Sequence, residues 1–344
     1  MNLGIEIGGT KLQLGIGPGD GSEFVAFERL DVDPRYGASG ILEQIEKTAA
    51  GMLQKHFVSR VAYGFGGPVD AVQGRVATSH QIGGWDNFPL VEWTEKTLNV
   101  PTTLGNDCDC AALAEASFGA GRNCRIVFYI TVGTGIGGGL VINGKSHGSD
   151  RPAIAEIGHL RPGLHDDRPD ATVESISSGW GIAATARTRI SGDISPPFES
   201  MRPSECPTSR EQLHLRMADS RQADDEFITD LLNRCDSDLD RLTAKMVGQA
   251  AAEGNDVARE VLEHSSQALG WAIAQVITLV APEVIVVGGG VSLMGEQLFY
   301  SPLRRQVERY VFPPLAGSFQ IVPPVFDELV VVHGALALAK RTDA

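Results

Sequence analysis

One short pattern occurs twice in this chain: a strand, a glycine-rich turn carrying a threonine, and a return strand. The first copy is Ile5-Glu-Ile-Gly-Gly-Thr10, followed by the alternating run Lys11-Leu-Gln-Leu-Gly-Ile. The second is Ile126 to Val132, then Gly133-Thr-Gly-Ile-Gly-Gly-Gly139 as the turn, then Leu140-Val-Ile and Asn143-Gly144. Alternation at period two around a glycine tip reads as a β-hairpin. Two such hairpins, about 125 residues apart, imply an internal duplication: two similar α/β halves with a cleft between them. A chain of 344 residues has room for this, since roughly 150 residues make a domain.

The rest of the chain fits around the hairpins. Apolar spacing predicts helices over 41–57 and 90–99, a strand at Val61-Ala-Tyr broken by Gly64, and a short strand at Thr102-Thr-Leu. Asn106-Asp107 opens an alanine-rich helix over 108–118. Residues 191–245 differ in texture, with Pro196, Pro197, Pro203 and Pro207 among polar residues. Ile228, Leu231, Leu232, Cys235, Leu239, Leu242 and Met246 then trace one face of an amphipathic helix, so this stretch reads as an inserted subdomain or lid. Residues 256–281 are apolar on nearly every face and predict a central buried helix. A strand at 283–287 runs into Gly288-Gly-Gly290, and Gly334 to Lys340 form a last helix.

Charge and cysteine usage narrow the function. With 29 Lys plus Arg against 43 Asp plus Glu, the formal charge is −14. That disfavours nucleic-acid and anionic-membrane partners. It also means that a polyanionic ligand needs local backbone amides, a few cations or a metal. Five cysteines at 108, 110, 124, 206 and 235 make no disulfide framework and suit a reducing, cytoplasmic setting. The N-terminus enters a strand at once, with no basic segment or cleavage site of a signal peptide. The longest uncharged run, Ser265 to Pro282, holds Gln267 and Gln275 and reads as a buried helix, not a membrane span.

Three pattern matches fail on context. Gly133-x-Gly135-x-x-Gly138 is followed by a strand, where a dinucleotide fingerprint needs a helix. Gly139 to Lys145-Ser146 spells a P-loop, but its interior is an apolar strand. Glu156-Ile-Gly-His159 is a single Glu-x-x-His pair, where a di-iron bundle needs two. A structural zinc finds no ligand spacing among the cysteines.

What remains is the hairpin pair. Glycine tips let backbone N–H groups approach phosphate oxygens, Thr10 and Thr134 add hydroxyls, and Lys11 is a nearby cation. Together with Gly288 to Gly290, they point to nucleotide binding. Asn106-Asp107 is either a helix N-cap or a carboxylate at the cleft floor that takes a proton from a substrate hydroxyl. Glu156, His159 and Glu174 are either polar surface or a pocket whose carboxylates accept paired hydroxyl hydrogen bonds from a polyol.

Taken in order, these segments resemble the ROK (repressor, open reading frame, kinase) family of sugar kinases and regulators, within the actin/hexokinase/Hsp70 superfamily. Ile5-Glu-Ile-Gly-Gly-Thr-Lys11 is similar to its first phosphate motif. Gly64-Phe-Gly-Gly-Pro-Val-Asp70 is similar to the turn beside the sugar. Gly84-Trp85 with Pro89-Leu90 and the run Leu104 to Glu115 follow. Thr131 to Lys145 is similar to the second phosphate motif; Glu156 to His159 and Pro282 to Val291 complete the set. The resemblance covers nearly the whole chain apart from about 191–245.

It implies two actin-like (ribonuclease H-like) α/β domains flanking a cleft. These would be residues 1–105 plus 334–344 and residues 106–333, with an inserted subdomain at about 191–245. It implies an ATP-dependent hexose kinase acting on the 6-hydroxyl of glucose or a related hexose, with Mg²⁺ carried on ATP, as a homodimer or homotetramer. Asp107 matches the catalytic base. Asn106, Glu156, His159, Glu174 and Gly67 match sugar contacts. Glu6, Gly8, Gly9, Thr10, Lys11, Thr131, Gly133, Thr134, Gly135, Gly288, Gly289 and Gly290 match the nucleotide side.

The chain departs from the family pattern in four ways. Glu6 stands where the family has Asp. No cysteine lies between Arg161 and Glu174, where many members bind zinc. Ser79-His80-Gln81 replaces a frequent Asn, which leaves fructose, mannose, allose and N-acetylated hexoses open beside glucose. The insertion is longer than usual. The alternative is a catalytically impaired sugar sensor or scaffold. A DNA-binding regulator is not expected, because no helix-turn-helix precedes Met1-Asn2-Leu3.

Overall fold

Each hairpin seeds a five-stranded sheet. The computed structural model describes residues 1–79, 82–148, 151, 153–163, 170–192 and 224–341. In the first half, β1 (Asn2–Ile7) pairs antiparallel with β2 (Lys11–Gly17), and β2 with β3 (Ala26–Asp31). After helix α1 (Gly37–Leu53), β4 (Arg60–Phe65) joins β1 in parallel. A small ribbon, β5 (Val69–Asp70) with β6 (Arg75–Val76), and helix α2 (Leu90–Leu98) lead to β7 (Thr102–Asn106), parallel to β4. The order is β3-β2-β1-β4-β7.

The second half repeats the plan. Helix α3 (Asp107–Ser117) leads into β8 (Ile126–Val132), which pairs antiparallel with β9 (Ile136–Ile142), and β9 with β10 (Lys145–Ser146). Helices α4 (Val173–Ser177) and α5 (Gly179–Ser191), the helical stretch 224–234 (α6), α7 (Ala244–Ala252) and α8 (Asp256–Val280) intervene. Then β11 (Val284–Gly288) runs parallel to β8, helix α9 (Ser301–Tyr310) follows, and β12 (Gln320–Val322) lies parallel to β11. The order β10-β9-β8-β11-β12 matches the first sheet strand for strand. The duplication read from the two turns is therefore a duplication of whole sheets.

All six residues of β1 are buried, as expected of a central strand covered on both faces. On one face α1 contributes Ile41, Ile45 and Ala49 to a core with Leu3, Ile5, Leu12, Leu14 and Tyr63. On the other, α10 (Val330–Arg341) packs against β1, β4 and α3. The second core centres on α8, whose Val261, Leu269, Ile273 and Ile277 face Ile130, Val132, Ile285 and Val287. The buried central helix is as expected. Asn255 caps it by accepting from the Ala258 N–H at 2.9 Å, and Ala281 ends it at φ +49°. No helix among the described residues is long and apolar enough to cross a membrane.

Several expectations are corrected. The second glycine turn is residues 133–135 only; Gly137, Gly138 and Gly139 lie inside β9. Gly137 and Gly139 are needed in a strand because α3 presses on it, and Gly138 because the Ala155 carbonyl and the Phe128 ring close on its other side. A Cβ on Gly137 would lie 2.7 Å from Cys108 Sγ, and one on Gly139 2.9 Å from Ala112 Cβ. The face from Ile228 to Met246 is not one helix. The chain leaves α6 at Cys235, passes through left-handed Asp236 (φ +53°) and Ser237 (φ +59°), makes a short turn at Leu239–Arg241, and restarts at Thr243 as the cap of α7. Gly64 does not break its strand, and the last helix begins at Val330, not Gly334. Residues 193–223 of the expected insertion, with Cys206, lie outside the described residues.

Candidate active site

The loops of interest leave the C-terminal ends of parallel strands, where open α/β sheets place their ligands. On the first sheet these are the Gly8–Thr10 turn after β1, Gly66-Gly67 after β4, and the β7–α3 junction. Asn106 ends β7 and caps α3: its Oδ1 accepts from the Cys108 N–H at 2.8 Å and the Asp109 N–H at 3.3 Å. Its Nδ2 donates to the Gly67 carbonyl at 3.0 Å, which ties the two loops together. The N-cap reading of Asn106 is therefore realised in the fold.

Asp107, the next residue, is half-buried. A Cβ on Gly66 would lie 3.5 Å from its Oδ2 and 3.7 Å from Gly8 Cα, so the carboxylate stands beside the first glycine turn. Burial raises its pKa, opposed by the hydrogen bond it accepts from the Cys108 N–H.

Glu6 points from β1 toward the same place. It is 7 % exposed, and Lys11 Nζ lies 3.3 Å from its Oε1. Burial pushes its pKa up to about 7; Lys11 opposes this and the Asp107 charge adds to it. Lys11, the cation expected for phosphate, thus already has a carboxylate partner, and it also donates to the Glu328 carbonyl at 3.2 Å.

From the second half, Glu156 and Glu174 approach. Burial raises the Glu156 pKa, with Asp107 and Glu174 adding to the effect and His159 opposing it. His159 is exposed at the end of the Ile157–His159 turn. Glu174, on α4, accepts from the Ile136 N–H at 2.6 Å and so pins the exit of the second glycine turn. That turn is closed by Gly133 N–H donating to the Gly135 carbonyl at 2.9 Å, and Gly179 N–H donates to the Gly133 carbonyl at 2.8 Å. Thr134 is exposed at its tip. Thr131 pairs across β8–β11 with Gly288. Gly289 holds φ +92°, and a Cβ there would lie 2.6 Å from the Val132 carbonyl oxygen; Gly133 and Gly290 face open space. The open space at Gly133 and Gly290 leaves room for an anion to approach their backbone.

Two neighbours escaped the sequence reading. Asp109, two residues beyond Asp107, has a buried Oδ1 without a hydrogen-bond partner. Burial, with the Asp107 and Glu156 charges, lifts its pKa to about 7. Its place three residues after an N-cap was a readable signal. Gln13 is the other, as the residue opposite Glu6 in the first hairpin. The resulting pocket is rich in carboxylates and poor in cations. It suits a ligand that brings hydroxyl donors or positive charge. Among the described residues, no group of three or more His, Cys, Asp or Glu is arranged to hold a metal by itself.

Comparison with known proteins gives a consistent answer. The family model described as "ROK family" matches residues 2–342. A glucokinase of Thermotoga maritima is 26 % identical, over 98 % of this chain and 97 % of its own. An N-acetylmannosamine kinase of Escherichia coli O127:H6 is 28 % identical, over 85 % of this chain and 83 % of its own. Among solved structures, a ROK family glucokinase from Streptomyces griseus in complex with glucose and AMPPNP superposes with a TM-score of 0.74. It is 27 % identical and covers 99 % of both chains.

Proposed function

The chain belongs to the ROK family, and from that premise we propose that it is an ATP-dependent hexose kinase acting on the 6-hydroxyl of glucose or a close relative. The observation that carries the proposal is the position of Asp107. It is a desolvated carboxylate at the first residue of α3, beside the Gly8–Thr10 turn and within electrostatic reach of Glu156. Glu156, Glu174, His159, Asn106 and the Gly67 loop would receive the sugar's hydroxyls. The similar Streptomyces griseus protein was crystallised with glucose and AMPPNP, which supports this pairing of ligands.

Asp107 would accept the proton of the primary hydroxyl as its oxygen bonds to the γ-phosphorus. The bond to the bridging oxygen breaks and its electron pair leaves on ADP. A pKa raised by burial makes Asp107 a better proton acceptor than an exposed aspartate. The two glycine turns and Gly288 to Gly290 would cradle the phosphates, and Thr10, Thr131 and Thr134 would add hydroxyls.

Mg²⁺ fits a site of this kind. It is commonly held by one or two carboxylates plus substrate phosphates, and Glu6 is the carboxylate at the first turn that would help hold it, leaving Asp107 as the base. Bound there, the ion would offset phosphate charge that Lys11, already engaged by Glu6, does not. Free thiols at Cys108, Cys110, Cys124 and Cys235 suit a cytoplasmic setting. Assembly as a homodimer or homotetramer belongs to the same proposal.

Asp107→Asn tests the assignment. It should abolish sugar-dependent ADP formation, by about 10²-fold or more, and leave glucose binding by calorimetry unchanged. Undiminished turnover would remove Asp107 from the base role.

A further inference from the structure

Glu6 does not hang free at the phosphate turn. It is the first member of a polar row crossing the first sheet. In the β1–β2 register Glu6 stands directly opposite Gln13, and in β2–β3 Gln13 stands opposite Arg29. Gln13 is fully buried, at 0 % exposure. A glutamine in that position requires a polar partner, since a buried amide left unpaired gives up its hydrogen bonds to water and gains none in return.

The partners are specific. Glu328, on the turn before α10, closes over the row: its carboxylate meets Arg29 Nη1 at 2.7 Å. Its backbone carbonyl, which can only accept, faces the Gln13 amide at 3.1 Å, so the group there is Nε2. The same Nε2 lies 2.6 Å from Glu6 Oε2. One N–H therefore goes to Glu328 and the other to Glu6. Lys11 repeats the pattern, donating to the Glu328 carbonyl at 3.2 Å and pairing with Glu6 Oε1 at 3.3 Å. Both Glu6 oxygens are thus held, and both holders are anchored on one carbonyl.

We propose that Gln13 is a positioning residue for the nucleotide site: with Lys11, and anchored on the Glu328 carbonyl, it holds the Glu6 carboxylate in its working position at the first phosphate turn. The bracket explains how a glutamate serves there. Glutamate is longer than aspartate by one carbon–carbon bond, about 1.5 Å, and the added length is what brings its carboxylate to the Gln13 amide. Gln13 acts only through Glu6, so its influence belongs to the phosphate end of the cleft. The inference rests on the kinase reading for its meaning, but its contacts stand apart from turnover.

A double-mutant cycle decides it. Affinity for Mg–AMPPNP is measured by calorimetry in the natural protein, in Gln13→Leu, in Glu6→Asp and in the double variant, with kcat and KM alongside. Gln13→Leu should weaken Mg–AMPPNP binding or lower kcat about tenfold, and keep the hexose Kd within about twofold. In the Glu6→Asp background, where the shorter carboxylate falls short of the amide, the same change should cost less than about twofold. An equal loss in both backgrounds would show that Gln13 merely supports the sheet and would overturn the proposal. No loss in either would do the same. If Gln13→Leu fails to fold, Gln13→Asn enters the same cycle, since it keeps a buried amide but withdraws it from Glu6. If the natural protein turns over no hexose, the kinase reading fails, and the binding cycle still decides the role of Gln13.

Discussion

Gly139→Ala adds one methyl group to the middle of β9, and the structure says where it goes. The new Cβ would lie 2.7 Å from the Cys108 carbonyl carbon and 2.9 Å from Ala112 Cβ, with the Cys108 carbonyl oxygen closer still. Carbon atoms in contact prefer about 3.5 Å or more, so the first turn of α3 must retreat by about 0.8 Å. Both contacts are on α3 itself, and the affected turn carries Asp107. A displacement of this size at a reacting group costs about 10²-fold in rate. Overpacking should also destabilise the fold by about 1–3 kcal/mol. The assay is steady-state ADP formation at saturating glucose and Mg–ATP, with a thermal melt on the same sample. Gly51→Ala is the control. It adds the same methyl inside α1, where nothing lies within 4 Å, and should stabilise by about 0.5–1 kcal/mol without changing kcat. If Gly139→Ala kept kcat within about threefold, β9 would not set the position of Asp107.

Two further predictions concern stability. Glu115 is 0 % exposed; its Oε2 accepts from the Ala120 N–H at 2.8 Å, and its Oε1 from the Val325 and Phe326 N–H groups at 2.9 and 3.2 Å. Glu115→Gln must turn an NH₂ toward a backbone donor on one side, so urea unfolding should show a loss of about 1–3 kcal/mol, and an unchanged midpoint would refute this role. His333 is sandwiched between Phe24 and Phe326, with ring centroids 4.4 and 4.3 Å away, and burial holds its pKa below the ordinary 6.5. As pH falls below that value the unfolded chain takes up a proton that the folded one resists, so His333 contributes stability that is full above about pH 6.5 and is lost as pH drops. His333→Phe should therefore flatten the fall in melting temperature between about pH 7 and pH 5, and equal slopes in the two proteins would clear His333 of the effect.

The hairpins were legible because their information is local: period-two alternation, a glycine tip, and one apolar face. The register of the first hairpin, which sets Glu6 opposite Gln13, was not read from the alternation and comes from the structure. Asn106 was readable as a cap because its side chain acts on residues two and three positions ahead. Glu328 was not, since it meets Gln13 through a contact 315 residues apart in sequence that only the packing of the last turn creates. β3 was missed because, as an edge strand with only half-buried and exposed residues, it carries little apolar signal. The expected helix through residue 246 failed for another reason. Apolar residues kept helical spacing across a break, and the Asp236-Ser237-Asp238 run, which turns the chain and caps the next segment, was outvoted by periodicity. The second turn was drawn too long because glycine in a strand looks like glycine in a loop until the helix pressing on it is seen.

The central claim is tested most directly by ADP formation from Mg–ATP across a panel of hexoses, with a control lacking sugar. The account predicts ADP release that depends on the sugar, with glucose or a close relative as the best acceptor. No sugar-dependent release with any hexose, while glucose still raised the melting temperature, would contradict the kinase assignment and leave a sugar sensor.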